Sequence, residues 1–208
     1  MRVVAGTARG RRLLAPSGEA VRPTTDRVRE ATCNALDSLG AIDGAEVLDL
    51  FAGSGALGIE ALSRGARHCT FVEVSRDALD AIGRNLSSTG LGDRATVRRG
   101  DAFAVLAALA VPEGGAATPA VPEGGAATRA ARPDLVLADP PYDFERWDEL
   151  LDAVPPCTVV IESDRPVAPP EPWSVLRQRS YGTTVVTIIE HPSAGARPQD
   201  TQEGNDHP

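Results

Sequence analysis

The chain has 208 residues, 42% of them hydrophobic, and a formal net charge of -8. This length and composition predict one globular domain with a sizeable core. The cysteines Cys33, Cys69 and Cys157 include no C-x-x-C pair, so neither a disulfide framework nor a metal site is predicted. The N-terminus lacks an apolar signal region, and the Ala-rich run 102–111 is far shorter than the ~20 residues of a membrane span. We therefore expect a cytoplasmic protein with reduced thiols and no membrane association.

The first 29 residues are basic, although the chain as a whole is acidic. They hold seven arginines and two acidic residues, a net charge of +5, which leaves -13 for the remainder. Two short apolar segments flank a turn that contains Gly6 and Gly10, which predicts a β-hairpin with arginines at its tip. Such a tip suits phosphate contacts, and a flexible solvated tail is the alternative. The predicted nucleic-acid contacts are Arg9, Arg11, Arg12 and Arg22.

Strands and helices then alternate along the chain. A helix is predicted after residues 22–26, because Val28, Ala35, Leu36 and Leu39 recur at helical spacing. Further strands are predicted at 47–51, 68–74, 94–98, 134–138 and 157–163, with helices between them, and a hairpin at 174–181 and 183–190. This alternation predicts an α/β fold with a doubly wound, mostly parallel sheet and an N-terminal β-hairpin extension.

Two segments depart from this pattern. The sequence Val-Pro-Glu-Gly-Gly-Ala-Ala-Thr occurs at 111–118 and again at 121–128. We interpret the insert 111–132 as a flexible surface loop, with a functional lid as the alternative. The polar tail 191–208 is predicted to be disordered. The predicted division is a basic extension of residues 1–44 and a core domain of residues 45–190.

A glycine-rich turn follows the first strand of the core domain. Gly53, Gly55 and Gly58 have the spacing G-x-G-x-x-G, and Glu73 follows Gly53 by twenty residues. This pattern is typical of dinucleotide-binding folds, so an NAD-binding oxidoreductase is one interpretation. The sequence offers no obvious hydride-transfer site, and its closing hairpin is unlike a second mononucleotide-binding half.

The stretch Asp139-Pro140-Pro141-Tyr142 follows a buried strand, where open α/β sheets bind their ligands. Two prolines fix two φ angles and leave their carbonyls as rigid acceptors. Asp139 adds a carboxylate acceptor, and Tyr142 adds a flat ring. These groups suit a planar base with an exocyclic amine, and a plain proline-rich turn is the alternative.

Taken together, the motifs resemble a known family. The stretches 49–55, Glu73, 100–102 and 139–142 are similar to the motif series of class I S-adenosylmethionine-dependent amino-methyltransferases. The N-terminal stretches 2–6, 10–13 and 22–30 closely resemble the RsmD family, which methylates the 2-amino group of a guanine in 16S ribosomal RNA. The resemblance implies a seven-stranded Rossmann-like methyltransferase domain at 45–190, S-adenosylmethionine as cofactor, and 16S rRNA or the small ribosomal subunit as partner.

The same resemblance implies site residues. The implied cofactor-binding residues are Asp49, Gly53, Gly55, Glu73, Asp101, Ala102 and Thr25. Glu73 would accept both ribose hydroxyls, Asp101 the adenine amine, and the others would line the methionine end or the adenine ring.

The implied catalytic residues are Asp139, Pro140 and Tyr142. Asp139 and the Pro140 carbonyl would accept from the guanine amine, and Tyr142 would stack on the base. A DNA adenine-N6 methyltransferase is the alternative within the class, because Asp-Pro-Pro-Tyr also serves there. The short basic extension leaves little room for a DNA-reading domain. We expect a monomer.

Overall fold

The computed structural model describes residues 1–16, 26–110 and 132–194. Its strands are β1 Glu46–Leu50, β2 His68–Glu73, β3 Ala95–Arg99, β4 Leu135–Ala138, β5 Thr158–Ser163, β6 Ser174–Tyr181 and β7 Thr184–Glu190. Its α-helices are α1 Asp26–Ser38, α2 Ala56–Ser63, α3 Arg76–Thr89, α4 Ala102–Leu109 and α5 Trp147–Ala153. Arg22, Thr25, the duplicated sequence and the tail beyond residue 194 lie outside the described residues, so predictions about them stay predictions.

The seven strands of the described chain form one mixed sheet in the order β3-β2-β1-β4-β5-β7-β6. The first four pairings in this order are parallel, and the last two are antiparallel. The expectation of a mostly parallel sheet is therefore corrected to a mixed one. The reason is the closing hairpin: β6 turns at Gly182 (φ 64°), and β7 returns between β5 and β6.

Helices cover both faces of the sheet, and alternate strand residues enter two separate cores. The first core lies under α1, α2 and α3 and includes Val28, Ile59 and Ile82. The second core lies under α4 and α5 and includes Leu106 and Leu150. Strands buried on both faces explain the nearly continuous apolar runs in the sequence.

The N-terminal segment 1–14 packs on the first core through Val3, Ala8 and Leu13. The predicted β-hairpin is not confirmed, because an isolated antiparallel bridge between Arg2 and Arg12 stands where two strands were expected. The physical reason is that only part of its backbone pairs across the segment, as Val3 does with Arg11. The N–H groups of residues 4 and 5 donate instead to a glutamate side chain on α2.

The three cysteines are buried free thiols. Cys33, Cys69 and Cys157 are unbridged and buried, as predicted, and burial raises the pKa of Cys157 to about 12. Thiols with such raised pKa values hold little thiolate at neutral pH and are unreactive.

Among residues 1–16, 26–110 and 132–194, no helix has the length and apolar character needed to cross a membrane.

Candidate functional site

Four carboxylates form an acidic row across the sheet. Glu73, Asp49, Asp139 and Glu162 stand at the carboxyl ends of β2, β1, β4 and β5, which are neighbours in this order. The residues two positions earlier all belong to the first core: Phe71, Val47, Leu137 and Val160. Because side chains alternate along a strand, the four carboxylates point to the same face. They all line one cavity of about 550 Å³, within the size range of small-molecule sites.

Glu73 holds the glycine turn in place. Its Oε2 accepts from the Gly53 N–H at 2.8 Å, and its Oε1 accepts from the N–H groups of Val74 (2.7 Å) and Ser75 (2.8 Å). Ser75 in turn caps α3 through its hydroxyl, which accepts from the Ala78 N–H. The carboxylate is thereby fixed in the cavity wall by three backbone donors, before any ligand is considered.

Asp49 is buried, with 2% of its surface exposed, and its Oδ2 accepts from the Gly58 N–H at 3.0 Å. Burial raises the pKa of Asp49 well above its ordinary value. The charges of Asp139 and Glu73 raise the pKa further, and the Gly58 hydrogen bond opposes this rise. A cationic group bound beside Asp49 would favour its ionised form.

The two glycines implied at the methionine end differ in what they face. A Cβ on Gly53 (φ 54°) would meet only the Phe51 carbonyl oxygen, at 3.9 Å, and Gly53 lines the cavity. A Cβ on Gly55 (φ 75°) would meet Ile82 at 3.2 Å and Phe71 at 3.3 Å, under α2. A side chain at Gly55 would thus crowd α3 and β2. Gly55 is absent from the cavity lining among the described residues, and its contact with the cofactor stays a prediction.

Asp101 and Ala102 lie beside the cavity. Asp101 caps α4, where its Oδ1 accepts from the N–H groups of Phe103 (2.9 Å) and Ala104 (3.3 Å). The preceding Gly100 N–H donates to the Glu73 carbonyl at 3.1 Å, which keeps this helix start next to the end of β2. Neither residue is part of the cavity lining in the described chain, so their contact with adenine stays a prediction.

The Asp-Pro-Pro-Tyr stretch forms the wall of the cavity that follows β4, the strand next to β1. All four residues line it, with Asp139 exposed, Pro140 buried and Tyr142 46% exposed. The Pro141 carbonyl accepts from the Phe144 N–H at 3.0 Å, which occupies one of its two lone pairs, and the role of the Pro140 carbonyl as a rigid acceptor stays a prediction. This hydrogen bond closes a turn that fixes the direction of the stretch.

An aromatic cluster adjoins this stretch in the cavity wall. The Phe144 ring contacts Phe51 edge-on, with ring centroids 5.5 Å apart, and Trp147 edge-on at 4.8 Å. Phe51, Phe144 and Trp147 all line the cavity. Edge-to-face pairs at these distances are favourable and directional, so they hold the wall rigid.

Sequence reasoning missed a buried ion pair that joins the N-terminal segment to the cavity. Glu60 accepts from the N–H groups of Val4 (2.8 Å) and Ala5 (3.0 Å). Arg29 donates to the Arg2 carbonyl, its Nε lies 3.8 Å from Glu60, and it lines the cavity. The signal available in the sequence was Glu60, a charged residue among the apolar residues of α2.

The predicted arginines that are described lie on the segment's outer side. Arg9, Arg11 and Arg12 are exposed, around a turn that is closed by hydrogen bonds from the Gly10 N–H to the Val3 carbonyl and from the Val3 N–H to the Arg11 carbonyl. They do not line the cavity. The structure thus separates a basic outer turn from an acidic cavity.

No group of three or more His, Cys, Asp or Glu side chains in the described part of the chain is arranged to hold a metal ion. The acidic row places four carboxyl groups, which are potential hydrogen-bond acceptors, at the ends of neighbouring strands.

The fold and motifs place this protein in the class of Rossmann-like methyltransferases. The solved structure of the Escherichia coli protein yhhF matches with a TM-score of 0.71 and 30% identity, over 92% of this chain and 97% of that chain. A Thermus thermophilus protein matches with a TM-score of 0.70 and 26% identity, over 91% and 99%.

Sequence comparison identifies the family. The model of the family described as conserved hypothetical protein 95 matches residues 1–115. The protein of Escherichia coli K12 named ribosomal RNA small subunit methyltransferase D is 30% identical over 211 residues, covering 96% of this chain and 94% of that protein. YlbH of Bacillus subtilis is 38% identical over 200 residues, covering 91% and 98%. The chain belongs to this family, the RsmD family, which removes the support for an oxidoreductase.

Proposed function

We propose that this protein transfers a methyl group from S-adenosylmethionine to the N2 amine of a guanine in the 16S rRNA of the small ribosomal subunit. Family membership supports the reaction class, and the relative named for the small subunit supports the substrate. The observation that carries the proposal is one cavity with two unlike, adjoining walls. Glu73 and Asp49 stand at the ends of β2 and β1, and Asp139 to Tyr142 follow β4, the next strand in the sheet.

The first wall fits the cofactor. Three backbone donors occupy three of the roughly four acceptor sites of Glu73, so its Oε2 keeps one for a ribose hydroxyl. The bare Gly53 backbone permits close approach. Asp49 supplies a carboxyl whose ionisation a methionine ammonium or sulfonium would promote. The cofactor supplies a methyl group activated by a positively charged sulfur. Asp101 and Ala102 would hold the adenine beyond Glu73, and Thr25 would close the methionine end.

The second wall fits the target base. The lone pair of a guanine N2 amine is delocalised into the ring, so the amine is a poor nucleophile. Asp139 and the Pro140 carbonyl would accept its two hydrogens, aim the nitrogen and stabilise positive charge that develops there. Tyr142 would stack on the base after it leaves its helix. Arg9, Arg11, Arg12 and Arg22 would contact phosphates outside the cavity, in a cytoplasmic, monomeric enzyme.

Methyl transfer to small ribosomal subunits that lack the modification tests this proposal. Complete digestion of RNA methylated with a labelled cofactor should yield N2-methylguanosine. Sequencing of the labelled RNA fragment after partial digestion should locate one guanine. Asp139→Ala should abolish transfer while binding S-adenosylhomocysteine normally. Tyr142→Ala should lose about 5- to 150-fold, since stacking is worth about 1–3 kcal/mol per base.

The matched control is Asp148→Ala, because Asp148 is an exposed carboxylate on α5 outside the cavity lining. It should keep wild-type activity. N6-methyladenine formed in DNA would support the alternative methyltransferase, and cofactor binding without any product in RNA would remove the guanine assignment.

A further inference from the structure

Glu162 is a second carboxylate in the wall that faces the target base. It lies near the end of β5, it is 2% exposed, and it lines the cavity together with Asp139. Its neighbours along the strand, Val159 to Ile161, are fully buried apolar residues. A charged residue in such a strand is costly to bury, which calls for a role beyond packing.

The sheet register places Glu162 beside Asp139. Ala138 of β4 pairs with Ile161 of β5 in a parallel register, so the next residues on the two strands are Asp139 and Glu162. Neighbouring strands lie about 4.8 Å apart. Both side chains point to the face of the first core, since Leu137 and Val160, two positions earlier, belong to it. Two carboxyl groups that follow one another across neighbouring strands thus line the same cavity.

Two adjacent acceptors match guanine better than any other base with an exocyclic amine. On guanine, the N2 amine and the N1–H are donors on adjacent atoms of the same edge. On adenine and cytosine, the ring nitrogen next to the amine is an acceptor, which would face a carboxylate with repulsion. The edge of guanine therefore complements the Asp139 and Glu162 pair, and the other two edges do not.

We propose that Glu162 determines base specificity: it accepts from the N1–H of the target guanine while Asp139 accepts from the N2 amine. This inference rests on the proposed function and extends it, because it assigns the choice of guanine to a residue outside the Asp-Pro-Pro-Tyr stretch. It also gives the base two fixed points, which sets the direction of the amine toward the methyl donor.

A base analogue separates the roles of the two carboxylates. Small subunits are reconstituted with 2-aminopurine at the guanine that the previous experiment locates. This base keeps the 2-amino group, but its N1 is an acceptor. The wild-type protein should methylate guanine about 10- to 100-fold faster than 2-aminopurine in single turnover, the range expected for one charged hydrogen bond. In Glu162→Gln, whose amide can donate to N1, the ratio should fall to within about threefold.

Controls keep the outcome interpretable. Glu149→Gln makes the same change on the exposed surface of α5 and should keep the wild-type ratio. Binding of S-adenosylhomocysteine and the melting temperature verify that each variant is folded, and Glu162→Ala provides a second variant without either acceptor or repulsion. If both Glu162 variants keep the wild-type ratio of guanine to 2-aminopurine methylation, even with an equal loss of rate on both bases, the inference is wrong and the proposed function is unaffected. Failure of the wild-type protein to methylate guanine would overturn the proposed function and this inference with it.

Discussion

Replacing Gly6 with alanine should detach the N-terminal segment from α2. A Cβ at this position would lie 1.8 Å from the Ser63 carbonyl oxygen and 2.3 Å from its carbon. Both atoms belong to helix backbone, which cannot rotate away as a side chain can. Gly6 also has φ +78°, a conformation that side chains disfavour.

The control is Gly10→Ala on the same segment. Gly10 has a similar φ of +82°, but a Cβ there would meet nothing within 4 Å. It isolates the conformational penalty of about 1–2 kcal/mol for a left-handed residue. Gly6→Ala adds overpacking of about 1–3 kcal/mol, so the free energy of unfolding should fall by about 2–5 kcal/mol in total. If the segment leaves instead, the burial of Val3 and Leu13 is lost, at about 1.5–3 kcal/mol for each side chain.

Urea unfolding of both variants measures this difference, and limited proteolysis shows whether the segment is released. Gly6→Ala should unfold at a lower urea concentration than Gly10→Ala and should be cut within residues 1–14. Its melting temperature should fall by about 2–4 °C for each kcal/mol, given the size of the chain. Equal destabilisation by the two alanines would show that the close contact with Ser63 does not hold the segment.

Two other changes test charge. Replacing Arg9, Arg11 and Arg12 together with glutamine should leave stability and cofactor affinity unchanged, while the slope of log affinity for RNA against log salt becomes shallower by up to about 2–3; an unchanged slope would show that the turn does not touch phosphates. For Asp49, the raised pKa means that the folded state binds the proton more tightly than the unfolded state. The contribution of Asp49 to the free energy of unfolding is therefore fully present below about pH 3.8 and is lost as the pH rises through the folded pKa. Asp49→Asn, which can still accept from the Gly58 N–H, should gain stability over wild type from pH 4 to 8 in urea unfolding. Parallel curves for the two proteins would contradict the buried-carboxyl argument.

Local patterns made much of this site predictable. The glycine turn, Glu73 and the Asp-Pro-Pro-Tyr stretch each follow an apolar run, and such runs identify strand ends without knowledge of their neighbours. The shared cavity confirms that these strand ends meet. The exposure of Arg9, Arg11 and Arg12 also agrees with the basic character of the extension.

Contacts between distant residues were not predictable in the same way. Glu60 accepts from the Val4 N–H, 56 residues away, and Arg29 donates to the Arg2 carbonyl of the same segment. Composition and periodicity carry no information on such pairs. The position of β7 between β5 and β6 is a similar case, since a hairpin signal shows that two strands pair but not which of them joins the sheet. Gly55 is a third case, since the motif does not reveal that Ile82 and Phe71 would lie within 3.3 Å of a Cβ there.

The acidic row governs how a polyanion can approach the cavity. The carboxyl groups of Glu73, Asp49, Asp139 and Glu162 stand on four adjacent strands of the sheet, and those that are ionised repel phosphates. Arginines that attract phosphates lie on the outer side of the N-terminal segment instead. If the arginines contact RNA as we propose, the RNA backbone would stay at the outer turn, and the hydrogen-bond donors of a base would suit the carboxyl groups of the cavity. Charge would then favour a nucleotide that enters base-first over one that enters with its phosphate leading.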